Sequence, residues 1–307
     1  MKPNQLLAFA AVAEHLSIRG AARALGVSQP AVSGIVRELE REFGAPLVER
    51  GLKGVRLTPC GESLAPRARL LLADMQRARD EIAQIRDGTA GRLAIAATTS
   101  VALTLMPAAF QAFHTRLPKV DVRVSESALP WMLSRLRDGQ LDLAVAPVLP
   151  GRLGPEFETI ELAPMEFMVG MRTGHPLRRC RSLRQLHGAE WVLPGNGALD
   201  REALLLPVFS SIGLALPSRM IFSESIMTAL GLVSRTDVVG LFVEPLVELA
   251  FRYHGIRRAA LKEKLPMLQV CAITLKDHRL TLAAKQFVEC MQLAATRRPA
   301  PFELQSR

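Results

Sequence analysis

The chain has 307 residues, 49% hydrophobic and 22% charged, with four cysteines and a formal net charge of +10. That composition is globular rather than disordered and allows two or three domains with ordinary cores. It excludes a disulfide-stapled miniprotein, and no apolar run approaches the roughly 18 residues needed to span a bilayer. The opening MKPNQLLAFAAVAEHLSIRG is broken by Glu14 and His15 and lacks a small-residue cleavage site, which argues against a secretory signal and for a cytoplasmic protein. Cys60, Cys180, Cys271 and Cys290 are scattered, without a CxxC pair or a neighbouring His cluster. They read as thiols in a reducing compartment, with no metal or other cofactor implied. The positive charge suits a polyanion, but residues 1–57 hold only eight Lys/Arg against five Asp/Glu. A nucleic-acid reading must therefore rest on motif geometry.

Leu6, Leu7, Phe9, Ala10 and Ala13 form the apolar stripe of a first helix. Ser17 caps a second, Ile18 to Leu25, and Gly26 ends it. Ser28 is the N-cap of a third, whose first turn accepts Pro30 because the missing N–H has no partner there. This helix is expected to bury Ala31 or Val32, Ile35 or Val36, and Leu39, with Phe43 at its end. Ser28, Gln29, Ser33 and Arg37 are expected on its other side. Two helices crossing at Ala21 and Ala22 with a short turn between them describe a helix-turn-helix, whose second helix leads into the major groove with side chains that reach bases or phosphates. Gly34, mid-helix, costs about 1 kcal/mol relative to Ala. It marks either a close approach of backbone to DNA or a tolerated surface position. In residues 45–59, two β-prone runs flank Gly51 to Gly54. They predict a hairpin wing carrying Arg50, Lys53 and Arg56 against phosphate, or simply three solvated charges.

Thr58 and Pro59 start a long helix. Leu64, Ala68, Leu71, Met75, Ala78, Ile82 and Ile85 recur at steps of four and three, the seam of a coiled coil. A partner helix from a second subunit is the economical cover, and a two-fold symmetric DNA site follows. Residues 87–92, DGTAGR, look like a hinge.

Beyond it, RLAIAA, VDVRVSE (120–126) and LDLAVAP (141–147) read as strands. One helix containing Leu103, Met106 and Phe110, and another from WMLSRLRDG, alternate with them. Further strands are expected at 166–171, 190–193, 219–222, 238–243 and 265–276. Helices are expected near 200–212, 225–234 and 279–295, before an Arg/Pro-rich loose end. The alternation implies an α/β layer with a largely parallel sheet. Ligands bind such sheets at the carboxyl ends of strands. Thr98, Thr99 and Ser100, then Ser125 and Ser127, then Pro147 stand at three such ends. Asn196, within PGNGALDRE, and Ser223 and Ser225 stand at others. These positions either converge on a cleft for a small anion-bearing molecule or are helix N-caps. There is no GxSxG, P-loop, HExxH or GxGxxG, and the six histidines lack metal-ligand spacing, so nothing predicts an enzyme.

The stretch SIRGAARALGVSQPAVSGIVRELEREFGAPLVERGLKGVRLTPCGE resembles the LysR-type transcriptional regulators. LMPAAFQAFHTRLPKVDVRV and LRDGQLDLAV extend the likeness over essentially the whole chain. A nearer likeness is to regulators of aromatic sulfonate or carboxylate catabolism. The resemblance implies an α/β protein with an all-α winged helix-turn-helix at 1–58 and a dimerising linker helix at 59–88. A two-subdomain effector domain like periplasmic binding proteins would follow at 92–300, split as 92–163 plus 267–300 and 164–266. It implies double-stranded DNA, RNA polymerase and a small-molecule co-inducer as partners, and assembly as a dimer or tetramer. Gln29, Pro30, Ser33 and Arg37 fall in the DNA-reading segment, and Thr98 to Ser100 at the effector cleft. Gly34 stands where relatives often carry a larger polar or basic residue. The rival reading is a small-molecule-binding protein without a DNA role.

Overall fold

The computed structural model describes residues 1–51, 54–87, 91–149, 151, 153–194, 205–243, 251–276 and 278–296. Lys53, Asn196, residues 88–90 of the expected hinge, the start of the 200–212 helix and the chain end lie outside them.

Helices α1 (Pro3–His15), α2 (Ile18–Leu25) and α3 (Gln29–Phe43) come first. The side chain of Ser17 accepts from Gly20 N and that of Ser28 from Ala31 N, so both expected N-caps form. Gly26 and Gly44 end α2 and α3 in the left-handed region. Ala21 and Ala22 are buried where α2 meets Val12, Val32 and Val36. On α3 the core positions resolve to Val32, Val36 and Leu39; Phe43 is 48% exposed, contrary to its expected burial. The α3 stripe ends at Leu39, and Phe43 overhangs it.

Strands β1 (Val48–Gly51) and β2 (Gly54–Leu57) form the expected antiparallel hairpin. Val55 N donates to Leu16 O at 3.0 Å, and Glu40 Oε1 accepts from Leu47 N and Val48 N. The wing is thereby pinned to both the α1–α2 corner and α3. Helix α4 (Pro59–Asp87) starts on the Thr58 hydroxyl, which accepts from Gly61 N at 3.0 Å. A Cβ on Gly61 would stand 2.0 Å from Leu47 O, so this close crossing of helix start and strand demands glycine.

The remaining described elements, in chain order, are β3 (Arg92–Ala97), α5 (Thr99–Leu103), α6 (Leu105–Arg116), β4 (Asp121–Glu126), α7 (Leu129–Arg137), β5 (Leu143–Val148) and β6 (Phe157–Arg172). A 3-10 turn at Leu183–Leu186 leads to β7 (Glu190–Pro194), α8 (Leu206–Ser211), β8 (Met220–Ser223), α9 (Ile226–Arg235) and β9 (Val238–Val243). A helical turn at Arg252–His254, β10 (Ile256–Arg258), β11 (Met267–Leu275) and α10 (Leu282–Thr296) complete them. The strand order is β4-β3-β5-β11-β6-β9-β7-β8, with β10 on β6. Strand β3 is parallel to β4 and β5, and β7 is parallel to β8 and β9. The sheet is less parallel than the alternation implied. Strands β6 and β11 run antiparallel to their neighbours because they carry the chain from one half to the other and back. The first nine residues of β6, 157–165, and all of β10 lie outside the expected strands.

The expected single helix after β3 is two. Thr104 departs from helical geometry (φ −113°), so α5 ends and α6 begins there, and its hydroxyl donates to Ser100 O at 2.6 Å. On the sheet, α10 packs Ala284 and Phe287 against α6, with Phe287 edge-on to Phe113 at 5.3 Å. In the other half Trp191 is fully buried, edge-on to Phe209, and its indole N–H donates to Leu186 O at 3.1 Å.

Candidate nucleic-acid interface and ligand cleft

Gln29, Pro30, Ser33, Arg37 and Ile18 line one shallow depression on the outer side of α3. Gln29, Pro30, Ser33 and Arg37 are the four expected here from the sequence; Ser33, expected on the open side of α3, is only 8% exposed. Counting from Val32 and Val36 puts position 33 at the edge of the buried stripe, one residue away from open solvent. Arg37 folds back so that Nε donates to Ser33 O at 3.2 Å, which braces the guanidinium at the rim. Ser28 spends its hydroxyl on the cap, so it shapes α3 and has less to offer a base. Gly34 is exposed and helical, and a Cβ there would meet nothing within 4 Å. Nothing in its own chain requires glycine. On the wing Arg56 is exposed, while Arg50 is placed by backbone alone, paired with Val55.

The seam on α4 divides. Leu64 and Ala68 turn inward and pack with Leu6, Phe9, Leu39 and Leu47, so they belong to the core of the DNA-binding unit and not to a subunit seam. Physically, α4 begins inside that unit, where α1 already offers an apolar face. Leu71 (42%), Met75 (37%), Ala78 and Ile82 (66%) remain exposed along one side. Ile85 continues the spacing, its side chain outside the described residues.

At the carboxyl ends of β4, β3 and β5 the structure brings Thr98, Thr99, Ser100, Ser127 and Pro147 together. Thr98 N donates to Val145 O, and Ser127 N to Ala97 O. Thr98 is the N-cap of α5 by backbone geometry, yet its hydroxyl makes no cap bond. It lies 3.1 Å from Ser100 Oγ instead. Thr99 donates to Glu126 Oε1 at 2.5 Å, a carboxylate the sequence reading passed over, although it ends the alternating run VDVRVSE. Ser100 is buried, and Ser127 and Pro147 are half-buried. Ser223 and Ser225, at the end of β8, are used locally: Ser225 caps α9, and Ser223 Oγ donates to Ser225 O at 2.9 Å. Ser225 is therefore an N-cap, while the Ser223 hydroxyl is turned onto the Ser225 carbonyl.

Among the described residues no group of three or more His, Cys, Asp or Glu could hold a metal, and no helix is long and apolar enough to cross a membrane. Burial pushes the Cys180 and Cys290 thiols up and takes Cys271 to about 11. Cys60 is exposed on the first turn of α4.

A winged helix-turn-helix carried on a long helix, followed by an α/β unit with hydroxyls gathered at its strand ends, defines a DNA-binding regulator with a ligand-binding domain. Residues 3–62 match the bacterial regulatory helix-turn-helix protein model of the lysR family, and residues 86–295 match the LysR substrate binding domain. The chain belongs to the LysR family of DNA-binding transcriptional regulators. A probable hydrogen peroxide-inducible genes activator from Streptomyces viridosporus is 38% identical over 207 residues, 65% of this chain and 66% of that protein. The HTH-type transcriptional regulator GbpR from Rhizobium radiobacter is 30% identical over 242 residues, 77% of this chain and 80% of its own length. ArgP from Mycobacterium tuberculosis shares the fold, with a TM-score of 0.72 at 19% identity over 95% of this chain and 97% of that one.

Proposed function

We propose that this protein is a cytoplasmic, effector-responsive activator that binds an interrupted inverted repeat as a dimer or tetramer and acts on RNA polymerase. The observation that carries the reading is the Gln29–Pro30–Ser33–Arg37 depression, set on a protomer whose α4 leaves Leu71, Met75, Ala78 and Ile82 uncovered. Pairing two such helices covers the strip and presents two reading heads one dimer apart. Activation is the output named for the Streptomyces relative.

The effector is a small anionic or aromatic molecule held between two subdomains, 92–163 plus 267–300 and 164–266. Thr98 and Ser100 are its main hydroxyl contacts; Glu126, already engaged by Thr99, disfavours an anion directly beside it. The peroxide named for the relative is not carried over to this chain. A peroxide-sensing thiol needs thiolate character and access; Cys180, Cys271 and Cys290 of the ligand-binding half are buried with raised pKa values, and the exposed Cys60 lies at the start of α4, away from the cleft.

Mobility-shift titration on the DNA upstream of the coding region, between about 50 and 200 mM salt, tests the DNA half. Affinity should fall steeply with salt as phosphate contacts are lost. A flat curve contradicts the reading. Calorimetry with benzoate and benzenesulfonate as probes tests the cleft, and Ser100→Ala should lower any heat observed.

A further inference from the structure

Helix α4 touches the effector half of its own chain through one dense set of contacts, on a different side from the exposed apolar strip. Arg77 commits its guanidinium there. Its Nε donates to Asp142 Oδ1 at 2.9 Å, Nη1 to Asp74 Oδ1 at 3.0 Å and Nη2 to Leu141 O at 3.1 Å. The second oxygen of Asp142 accepts from Ala94 N at 2.9 Å, so one carboxylate joins the linker helix to β3. Arg69 reaches Asp138 at 3.1 Å on the same loop, and Asp74 also lies 3.4 Å from His278 Nδ1 on the loop before α10. Gly139 sits at the centre with φ +68°. A Cβ on it would fall 2.6 Å from Ala73 Cβ, so helix and loop are in direct contact.

We propose that Arg77 is the positioning residue that couples the ligand cleft to the DNA-binding unit. It holds the angle of α4 to the β3–β5 edge, whose far ends carry Thr98 to Ser100 and Pro147. Strand β3 is six residues long, from Arg92 to Ala97. A shift of its carboxyl end on ligand binding therefore reaches Ala94, Asp142 and the Arg77 guanidinium through hydrogen-bonded backbone. Both arginines lie near the protein surface but are mostly covered, with exposures of 19% for Arg77 and 28% for Arg69, so solvent competes weakly for these bonds. Asp142 and Gly139 lie within the LRDGQLDLAV segment, and the geometry gives both a task outside the cleft. The coupling rests on the effector reading above; the clasp itself does not.

Two measurements on the full-length protein separate them. Hydrogen exchange on the DNA-free protein should quicken by about tenfold in residues 137–142 and 69–77 of Arg77→Ala, with β6 and β11 unchanged. The bend angle of the bound upstream DNA should change in Arg77→Ala and in Ala73→Leu, which pushes the Gly139 loop off the helix while keeping glycine at the φ +68° position. Reversing one charge with Arg69→Asp should also change it, and the added Asp138→Arg should restore it, which assigns the change in bend to this ion pair and not to general damage to the fold. Unchanged exchange in Arg77→Ala overturns the clasp. Quickened exchange with an unaltered bend overturns the coupling, as does a failed rescue. Quickened exchange in Arg77→Ala, with a wild-type protein that does not bind the upstream DNA, keeps the clasp and removes the proposed DNA site instead.

Discussion

Ala68 and Leu71 stand one turn apart on α4, the first fully buried beneath Phe9 and Leu39, the second 42% exposed. Between them the helix passes from the core of the DNA-binding unit into its linker. The two positions should respond differently to the same change. Leu71→Asp should leave the protomer folded, with a stability change within about 0.5 kcal/mol, while sedimentation shows loss of the dimer. Ala68→Asp should unfold the N-terminal unit, because a carboxylate is buried there without a partner. An unaltered assembly in Leu71→Asp would remove the seam.

Gly34→Ala separates the two readings of the helical glycine. Nothing in the chain occupies the space of its Cβ, so the fold should gain about 1 kcal/mol from helix propensity. The account expects DNA affinity to fall about tenfold at the same time, through a methyl group intruding at the interface. Equal affinity would mean that the position is merely tolerated.

For Arg37→Ala the expectation is uniform weakening across DNA sequences, with the salt slope reduced by about 0.9, the signature of one lost phosphate contact. Loss confined to one base position would reassign Arg37 to direct readout.

Thiol titration with Ellman's reagent should find Cys60 alone reactive in the native protein and all four cysteines after unfolding. Cys271 adds a pH dependence. Its thiol is raised from 9.0 to about 11, so between those values the unfolded chain has lost a proton that the folded one keeps. Stability should therefore decline as pH rises through that window, and Cys271→Ala should flatten the decline.

The DNA-binding unit was legible because its signals are local. Ser17, Gly26, Ser28 and Pro30 specify caps and turns within a few residues of one another, and α2 begins and ends where they place it. The a/d spacing on α4 was equally plain, but spacing alone does not say which chain covers a stripe. Leu64 and Ala68 repeat like Leu71 and Met75, and only the fold shows α1 lying against the first pair. Strand β6 was half missed because Pro164 and the charges at Glu158 and Glu161 interrupt its alternation, while pairing with β11 across more than a hundred residues holds it. At the cleft, Thr98 to Ser100 could be placed at a strand end from sequence. Glu126 was hidden because its link to Thr99 spans neighbouring strands.

The central claim is that this chain reads a specific DNA site and answers to a ligand. A DNase footprint on the region upstream of its coding sequence, with and without benzoate and benzenesulfonate, tests it most directly. The account predicts protection of an interrupted inverted repeat, with its extent altered by one of these acids or a close relative. Absence of protection at every salt concentration would contradict it.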